Sequence, residues 1–313
     1  MNDYSPVRKV TVVTNPRSRH GKGGDAATAA IARLRAGGAE VTEVCAPSAA
    51  ETVRQVRDSV AGAAPDAVVC IGGDGLINVT LPAIAESGVP LGMIPAGTGN
   101  DLARELGVPT DDPVAAAALV LRGRTRTIDL GRIESSVPPM WFATVAGTGF
   151  DARVTLRANE MRWPRGRLRY TAAALAEISG RFTVPYRVEL VDAVTDGLTN
   201  PGAGSVLETE AVMVAVGNTR TYGGGMLICP DALMDDGLLD LTVVGALSRG
   251  EMLRLLPALS AGKRQDHPEV KQFRAAAVTL TAAGAPATAD GEPAGTLPIT
   301  IRAVPAALTV LVP

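Results

Sequence analysis

Residues 71–80 read IGGDGLINVT: an apolar strand ends at Ile71, three glycines and Asp74 follow, and apolar residues then recur at helical spacing. That order sets the end of a strand against the start of a helix, and the glycines let a ligand approach backbone that side chains would otherwise cover. Free N–H groups and the positive end of the helix dipole suit phosphate. A carboxylate in such a loop repels phosphate unless a cation or sugar hydroxyls intervene. Asp74 is therefore a candidate to bind Mg²⁺, directly or through water, or to organise a nucleotide. The alternative is a helix N-cap that needs no ligand.

The strand before this turn, AVVCI (67–71), belongs to a series. KVTVVT (9–14), residues 40–44 and PLGMIPA (90–96) read as further strands, and residues 25–36, 50–61 and 76–86 as helices. Near-continuous apolar strands separated by helices predict a doubly wound parallel sheet covered on both faces. From about Thr127 the texture changes to strand candidates: TIDLGRIE, WFATVAG, YRVELVDA, EAVMVAVGN, LLDLTVVG, AAVTLTAA, LPITIRA and ALTVLVP. The expected organisation is an α/β domain over 1–128 and a mostly β, sandwich-like domain over 129–313, with 191–206 a hairpin loop of the latter.

Two more strand ends resemble the first. IPAGTGNDLARELG (94–107) offers Thr98, Asn100 and Asp101, and TNPRSRHGKGG (14–24) offers Asn15, Ser18 and backbone amides. Three such turns on parallel strands converge on one edge, where open α/β sheets bind ligands. None is a GxxxxGK[ST] P-loop, and no strand is followed by an intact GxGxxG.

The remaining patterns bound the function. Thirty Lys+Arg against 32 Asp+Glu give no basic field, so nucleic acid is excluded as a partner. The first residues carry no leader pattern and no run of about 18 apolar residues occurs, which predicts a cytoplasmic chain. Cys45, Cys70 and Cys229 read as small core residues, and His20 and His267 are too few for a histidine-built zinc site. ADGEPAG (289–295) sets Asp290 and Glu292 on either side of a turn glycine, a hairpin-tip composition. PDALMDDGLLDL (230–241) gathers acids at a glycine turn, either a site for a hard cation or a plain acidic surface. Around WPRGRLRY, Arg157, Arg162, Trp163, Arg165, Arg167 and Arg169 fit transient docking on anionic headgroups or, equally, a solvated helix start.

Taken in order, NPRSRHGKGG, IGGDGLIN, IPAGTGNDLAREL, TIDLG (127–131), GTGFDARV (147–154), RGRLRYTAAAL, GNTRTYGGGMLICPDALMDDGLLDLTVV (217–244) and ADGEPAG resemble the diacylglycerol-kinase-like lipid kinases over almost the whole chain. GGDG alone is shared with NAD kinases and phosphofructokinases; the ordered series is the specific signal. The resemblance implies ATP across an interdomain crevice, touching Asn15, Pro16, Ser18, Gly72, Gly73, Asp74, Gly75, Asn78 and Thr98. It implies Asp74, Asp101 and Asp129 as an acidic network orienting Mg²⁺-ATP. Glu292 or Asp290 would take the proton of the attacking lipid hydroxyl. A second, structural Mg²⁺ would be held by the Asp236 carboxylate with the carbonyls of Leu233 and Leu238. Asp101 could instead cap the helix after it, and Asp129 could be a hydrogen-bonder at a domain interface. GNTRTYGGG is assigned to shaping the cleft.

The implied partners are ATP, a lipid alcohol such as diacylglycerol and, transiently, the inner membrane surface; a homodimer is left open. Two departures bear on nucleotide affinity and the choice of donor: Leu76 stands where the family usually has Thr, and VCAPSAAET (44–52) lacks the threonine pair often found there. Two other function classes remain: an NAD-kinase-like enzyme acting on a soluble nucleotide, which the GTGND, DDGLLD and DGE series disfavours, and a non-catalytic nucleotide sensor, which the retained acids disfavour.

Overall fold

The computed structural model describes residues 6–15, 22–62, 64–135, 138–161, 163, 167–178, 183–194, 206–264 and 267–313. The chain forms two compact units, Met1–Asp129 with Ala306–Pro313, and Leu130–Pro305.

In the first unit, elements alternate as β1 (Lys9–Thr14), α1 (Lys22–Ala36), β2 (Glu40–Val44), α2 (Ala49–Gly62), β3 (Ala67–Gly72), α3 (Asp74–Ile84) and β4 (Leu91–Pro95). Then come α4 (Asp101–Glu105), α5 (Pro113–Arg122) and β5 (Thr125–Ile133), which leads out of the unit. The strands pair in the order β2-β1-β3-β4, all parallel. Val12, Val13, Val68, Val69 and Ile94 are fully buried, as expected of β-branched runs shielded on both faces. α1 packs with α5, and α2 with α3. α5 shows how local sequence sets a boundary. Asp112 accepts hydrogen bonds from the amides of Val114 and Ala115, both at 2.9 Å, Pro113 opens the helix, and Gly123 closes it at φ 69°. Because β2 lies on one side of β1 and β3 on the other, the winding reverses between β1 and β3. That switch point is the place on such a sheet where a crevice opens at the carboxyl ends of the strands.

The second unit contains β6 (Met140–Phe142), β7 (Val145–Thr148), α6 (Phe150–Glu160), α7 (Arg167–Ile178), β8 (Val184–Val194) and β9 (Val206–Gly217). A short hairpin of β10 (Thr221–Tyr222) and β11 (Met226–Leu227) precedes β12 (Leu239–Gly245), α8 (Arg249–Ser260) and β13 (Val270–Thr281). β14 (Pro286–Ala289), β15 (Glu292–Thr296) and β16 (Ile299–Leu311) complete the chain. β15-β14-β7-β9-β12-β13 form an antiparallel succession, and β8 pairs with both β9 and β13. β9 gives its first half to β8 and its second to β12, so the ladders fold over a shared core that includes Phe142, Tyr186, Val188, Leu241, Phe273 and Ile301. A second cluster, with Phe150, Val154, Ala173 and Met252, seats α6, α7 and α8.

Three strand expectations change. WFATVAG is two strands, interrupted at Ala143–Thr144, where side chains from elsewhere claim the backbone. LPITIRA and ALTVLVP are one strand, β16, kinked at Ala306 with φ 52°; past the kink, Val310 extends the first sheet beside Leu91. Of the expected hairpin loop, residues 195–205 lie outside the described residues, and the flanking strands β8 and β9 do pair antiparallel.

Candidate functional site

Register alone brings the strand ends of the first unit together. Thr14 pairs with Ile71, and Gly72 with Pro95, so Asn15, the 72–75 turn and the 96–101 turn leave the same sheet edge side by side. The two glycine turns touch backbone to backbone: a Cβ on Gly97 would stand 2.5 Å from the Cα of Gly73. Only glycine permits that approach.

The contact delivers two acids to one place. Asp74 begins α3 without capping it, since Gly73 occupies the N-cap position; its Oδ1 instead accepts the amide of Asp101 at 2.8 Å, 27 residues away, at the start of α4. The N-cap residue of α4 is Asn100, at φ 54°, whose amide folds back onto Gly97 through two hydrogen bonds of 3.1 and 3.0 Å. Asp101 therefore does not cap α4; its Oδ1 accepts from Arg104 at 2.9 Å, while Arg104 also donates to the Gly99 carbonyl. The second carboxylate oxygens of Asp74 and Asp101 lie 2.7 and 3.3 Å from where a Cβ on Gly99 would stand. Two oxygens converging over a missing side chain are a donor set that suits a hard cation.

Around this pair, Asn78 carries a buried amide nitrogen without a hydrogen-bond partner among the described residues, a donor in want of an acceptor. Thr98 is exposed, and Gly72, Gly73 and Asp74 are half-buried. Leu76 lays its Cδ2 over Gly72, 2.8 Å from an added Cβ, and so fills space that the glycine leaves. Asp129 is buried, and its Oδ1 accepts the amide of Ala306 at 2.8 Å, joining the first unit's leading segment to its returning one. Pro16 and Ser18 lie outside the described residues.

In the second unit the acids of ADGEPAG take opposite roles. Asp290 and Gly291, at φ 48° and 81°, form the two-residue turn between β14 and β15. The Asp290 carboxylate accepts from the amides of Ala143 and Thr144, both at 2.8 Å, and from the Thr144 hydroxyl at 2.5 Å. Glu292 is exposed, and its carboxylate makes no hydrogen bond among the described residues. The segment that Asp290 grips is itself held by GNTR: the Asn218 side chain donates to Ala143 O at 3.0 Å and its backbone amide to Thr144 O at 2.8 Å.

The acidic loop before β12 is tied by arginines. Asp236 Oδ1 accepts the amide of Leu238 at 3.0 Å, closing a turn around Gly237, and Oδ2 stands 3.9 Å from Arg274. Arg264 forks onto Asp231 at 2.9 and 2.8 Å. Asp240 is buried 3.4 Å from Arg274, and burial pushes its carboxyl up to about 6 against the arginine's pull. The carbonyl oxygens of Leu233 and Leu238 accept no hydrogen bond among the described residues, so with Asp236 they could supply oxygen to a cation.

Asp151, in the quoted GTGFDARV but without an assigned role, is a further buried acid. It sits in the first turn of α6 against Gly147, whose added Cβ would stand 2.1 Å from its Oδ2, and it accepts the Tyr222 hydroxyl at 2.5 Å. Burial pushes it up to about 6. Asn159 and Thr144 carry no signal of a role in the sequence, because each acts through a contact distant in sequence. Of the arginine cluster, Arg162 and Arg165 lie outside the described residues; Trp163, Leu168 and Leu175 are exposed, and Arg157 pairs with Glu177 at 2.6 Å.

A parallel sheet with glycine turns and paired acids at the carboxyl ends of its strands, joined to an antiparallel β unit, defines a class of phosphotransferase fold, and comparison specifies it. Residues 9–133 match the diacylglycerol kinase catalytic domain, and residues 144–312 match the YegS C-terminal NAD kinase beta sandwich-like domain. The chain is 46% identical over 308 residues to the diacylglycerol kinase of Mycobacterium tuberculosis (strain CDC 1551 / Oshkosh), covering 98% of this chain and 96% of that one. It is 34% identical over 270 residues to a probable lipid kinase YegS-like of Xanthomonas oryzae pv. oryzae (strain MAFF 311018), covering 83% and 82%. The crystal structure of a putative diacylglycerol kinase from Bacillus anthracis str. Sterne, at 20% identity, matches 99% of both chains with a TM-score of 0.77, a likeness of fold.

The chain belongs to the diacylglycerol kinase family of lipid kinases. It is a lipid kinase, and family membership implies ATP and a lipid as its substrates.

Proposed function

We propose that this chain transfers the γ-phosphate of Mg²⁺-bound ATP to the hydroxyl of a lipid alcohol, with diacylglycerol the first candidate acceptor. The observation that carries the reading is the convergence of Asp74 and Asp101 over Gly99 at the carboxyl ends of β3 and β4. Bound there, Mg²⁺ would neutralise phosphate charge and hold the oxygens in line. The protein's own contribution at this edge is placement. The Asp101 amide fixes the rotamer of Asp74, Arg104 fixes Asp101, and Asn15, Asn78 and Thr98 stand at the turns that would receive the phosphates. Asp129 takes the part of an anchor, since its carboxylate serves the Ala306 amide. Asp236, Leu233 and Leu238 would hold a structural Mg²⁺ through one carboxylate and two carbonyls.

Glu292 is the group to accept the hydroxyl proton. A general base needs an available lone pair, and Asp290 spends its oxygens on three donors while Glu292 spends none among the described residues. Contact with the bilayer would be peripheral, at the inner surface. No helix among the described residues is long and apolar enough to cross a membrane, and exposed Trp163, Leu168 and Leu175 give an apolar surface at and before α7 for the interface. The arginines of WPRGRLRY would add attraction to anionic headgroups, so activity should rise with anionic lipid and fall with salt.

The test is transfer from radiolabelled ATP with Mg²⁺ to a panel of lipid alcohols in mixed micelles, with NAD as a control. Labelled phosphatidic acid supports the reading, labelled ceramide or sphingoid base changes the acceptor, and label on NAD alone overturns it.

A further inference from the structure

We propose that Asn159 and Asp290 are positioning residues that aim Glu292, by fixing from two sides the two-residue turn that precedes it. The proposal rests on Glu292 being the base.

An exposed carboxylate without a hydrogen bond of its own inherits its direction from its backbone, and this backbone is poorly held by the sheet. Glu292 opens β15, which among the described strands pairs only with β14. An edge strand at the end of a two-residue turn frays unless something beyond the ladder restrains it. Here the restraints are specific. On one side Asp290 grips Ala143 and Thr144 through three hydrogen bonds, and its own amide donates to Val145 O at 3.1 Å. The gripped segment is immobilised from below by Asn218, which is fully buried. On the other side the Asn159 side chain donates to the Gly291 carbonyl at 3.0 Å.

Asn159 stands in the last turn of α6, whose Phe150, Ala152, Val154 and Ala158 are buried, so it reaches the turn from a fixed pillar. Its side chain is exposed, and water could satisfy the Gly291 carbonyl in its place. The core does not need the bond. What the bond fixes is the plane of the 291–292 peptide, the last backbone element before the Glu292 side chain. A misplacement near 1 Å at a reacting group lowers rate by about 10²-fold, so a partial loosening should lower it by roughly tenfold.

The experiment measures kcat and the KM for ATP and for lipid in N159A, N159D, E292Q and N159A/E292Q, alongside thermal unfolding. N159D is isosteric but has no donor at this position, and should behave as N159A. The expected result is a kcat about tenfold lower in both Asn159 variants, with both KM values and the unfolding temperature unchanged. In the E292Q background, N159A should lower kcat no further, because a residue acting through Glu292 has nothing left to act through. Wild-type kcat in both Asn159 variants, or a loss that multiplies in the double variant, overturns the positioning role and leaves the base assignment standing. Full turnover in E292Q overturns both.

Discussion

The turns at 72–75 and 97–101 and the turn at 290–292 are alike in sequence, an acid within two residues of a glycine, and opposite in what the fold does with the acids. In the first unit, acids 27 residues apart are brought over one glycine, each keeping an oxygen turned to a shared space. In the second, acids two residues apart are separated in role: Asp290 is consumed by backbone and hydroxyl donors, and Glu292 is left in the open. Sequence proximity does not decide which acids cooperate; the donors around each carboxylate do.

Substitutions can break this contrast. Of the changes at the first unit's edge, D74N should act hardest: its amide oxygen can still accept from the Asp101 amide, but the charge is gone, and turnover should fall on the order of 10²- to 10³-fold with weaker ATP·Mg²⁺ binding by calorimetry. A loss of stability with unchanged ATP binding would reduce Asp74 to a structural acceptor. G99A should come next, because its methyl would press Asp74 Oδ2 at 2.7 Å. An activity loss of about tenfold with an unchanged circular dichroism spectrum is expected, and full activity would show that the convergence of the two acids is not used.

Asp151 sharpens the contrast as an acid packed against a glycine, Gly147, and buried outright. Its carboxyl is raised by burial, so its contribution to stability is fully present below its ordinary value near 4 and is lost as pH rises to about 6. Stability of the wild type relative to D151N should fall by about 3 kcal/mol across that window, measured by urea denaturation at several pH values; a pH-independent difference would mean that Asp151 titrates normally. D290N has a smaller expected effect on stability, a loss of about 2 kcal/mol from replacing a carboxylate that accepts three hydrogen bonds. E292Q should leave stability unchanged, and equal losses in the two variants would erase the distinction between anchor and free acid.

Much of the architecture was legible because it rests on local pattern. The apolar runs 9–14, 67–71 and 90–96, each ending in a glycine-bearing turn, force a covered parallel sheet with its turns on one edge. The family resemblance likewise rested on motifs in order, and the homologous domains cover both halves. What stayed hidden was long-range. Nothing in LPITIRAVPAALTVLVP says that one strand runs through Pro305 and Ala306 and that its last residues return to the first unit, because a strand's neighbour is set by tertiary register. The cap made by Asp74 on a helix 27 residues away, the Ala143–Thr144 break in WFATVAG and the reach of Asn159 to Gly291 are hydrogen bonds between distant segments, to which propensity and periodicity are blind.

In the proposed mechanism, acids at the first unit's edge serve the nucleotide while Glu292 serves the proton. It is tested most directly by measuring ATP·Mg²⁺ affinity and the single-turnover rate of lipid phosphorylation on E292Q beside wild type. Unchanged affinity and a rate lower by about 10²- to 10⁴-fold are expected. Transfer at the wild-type rate would contradict it.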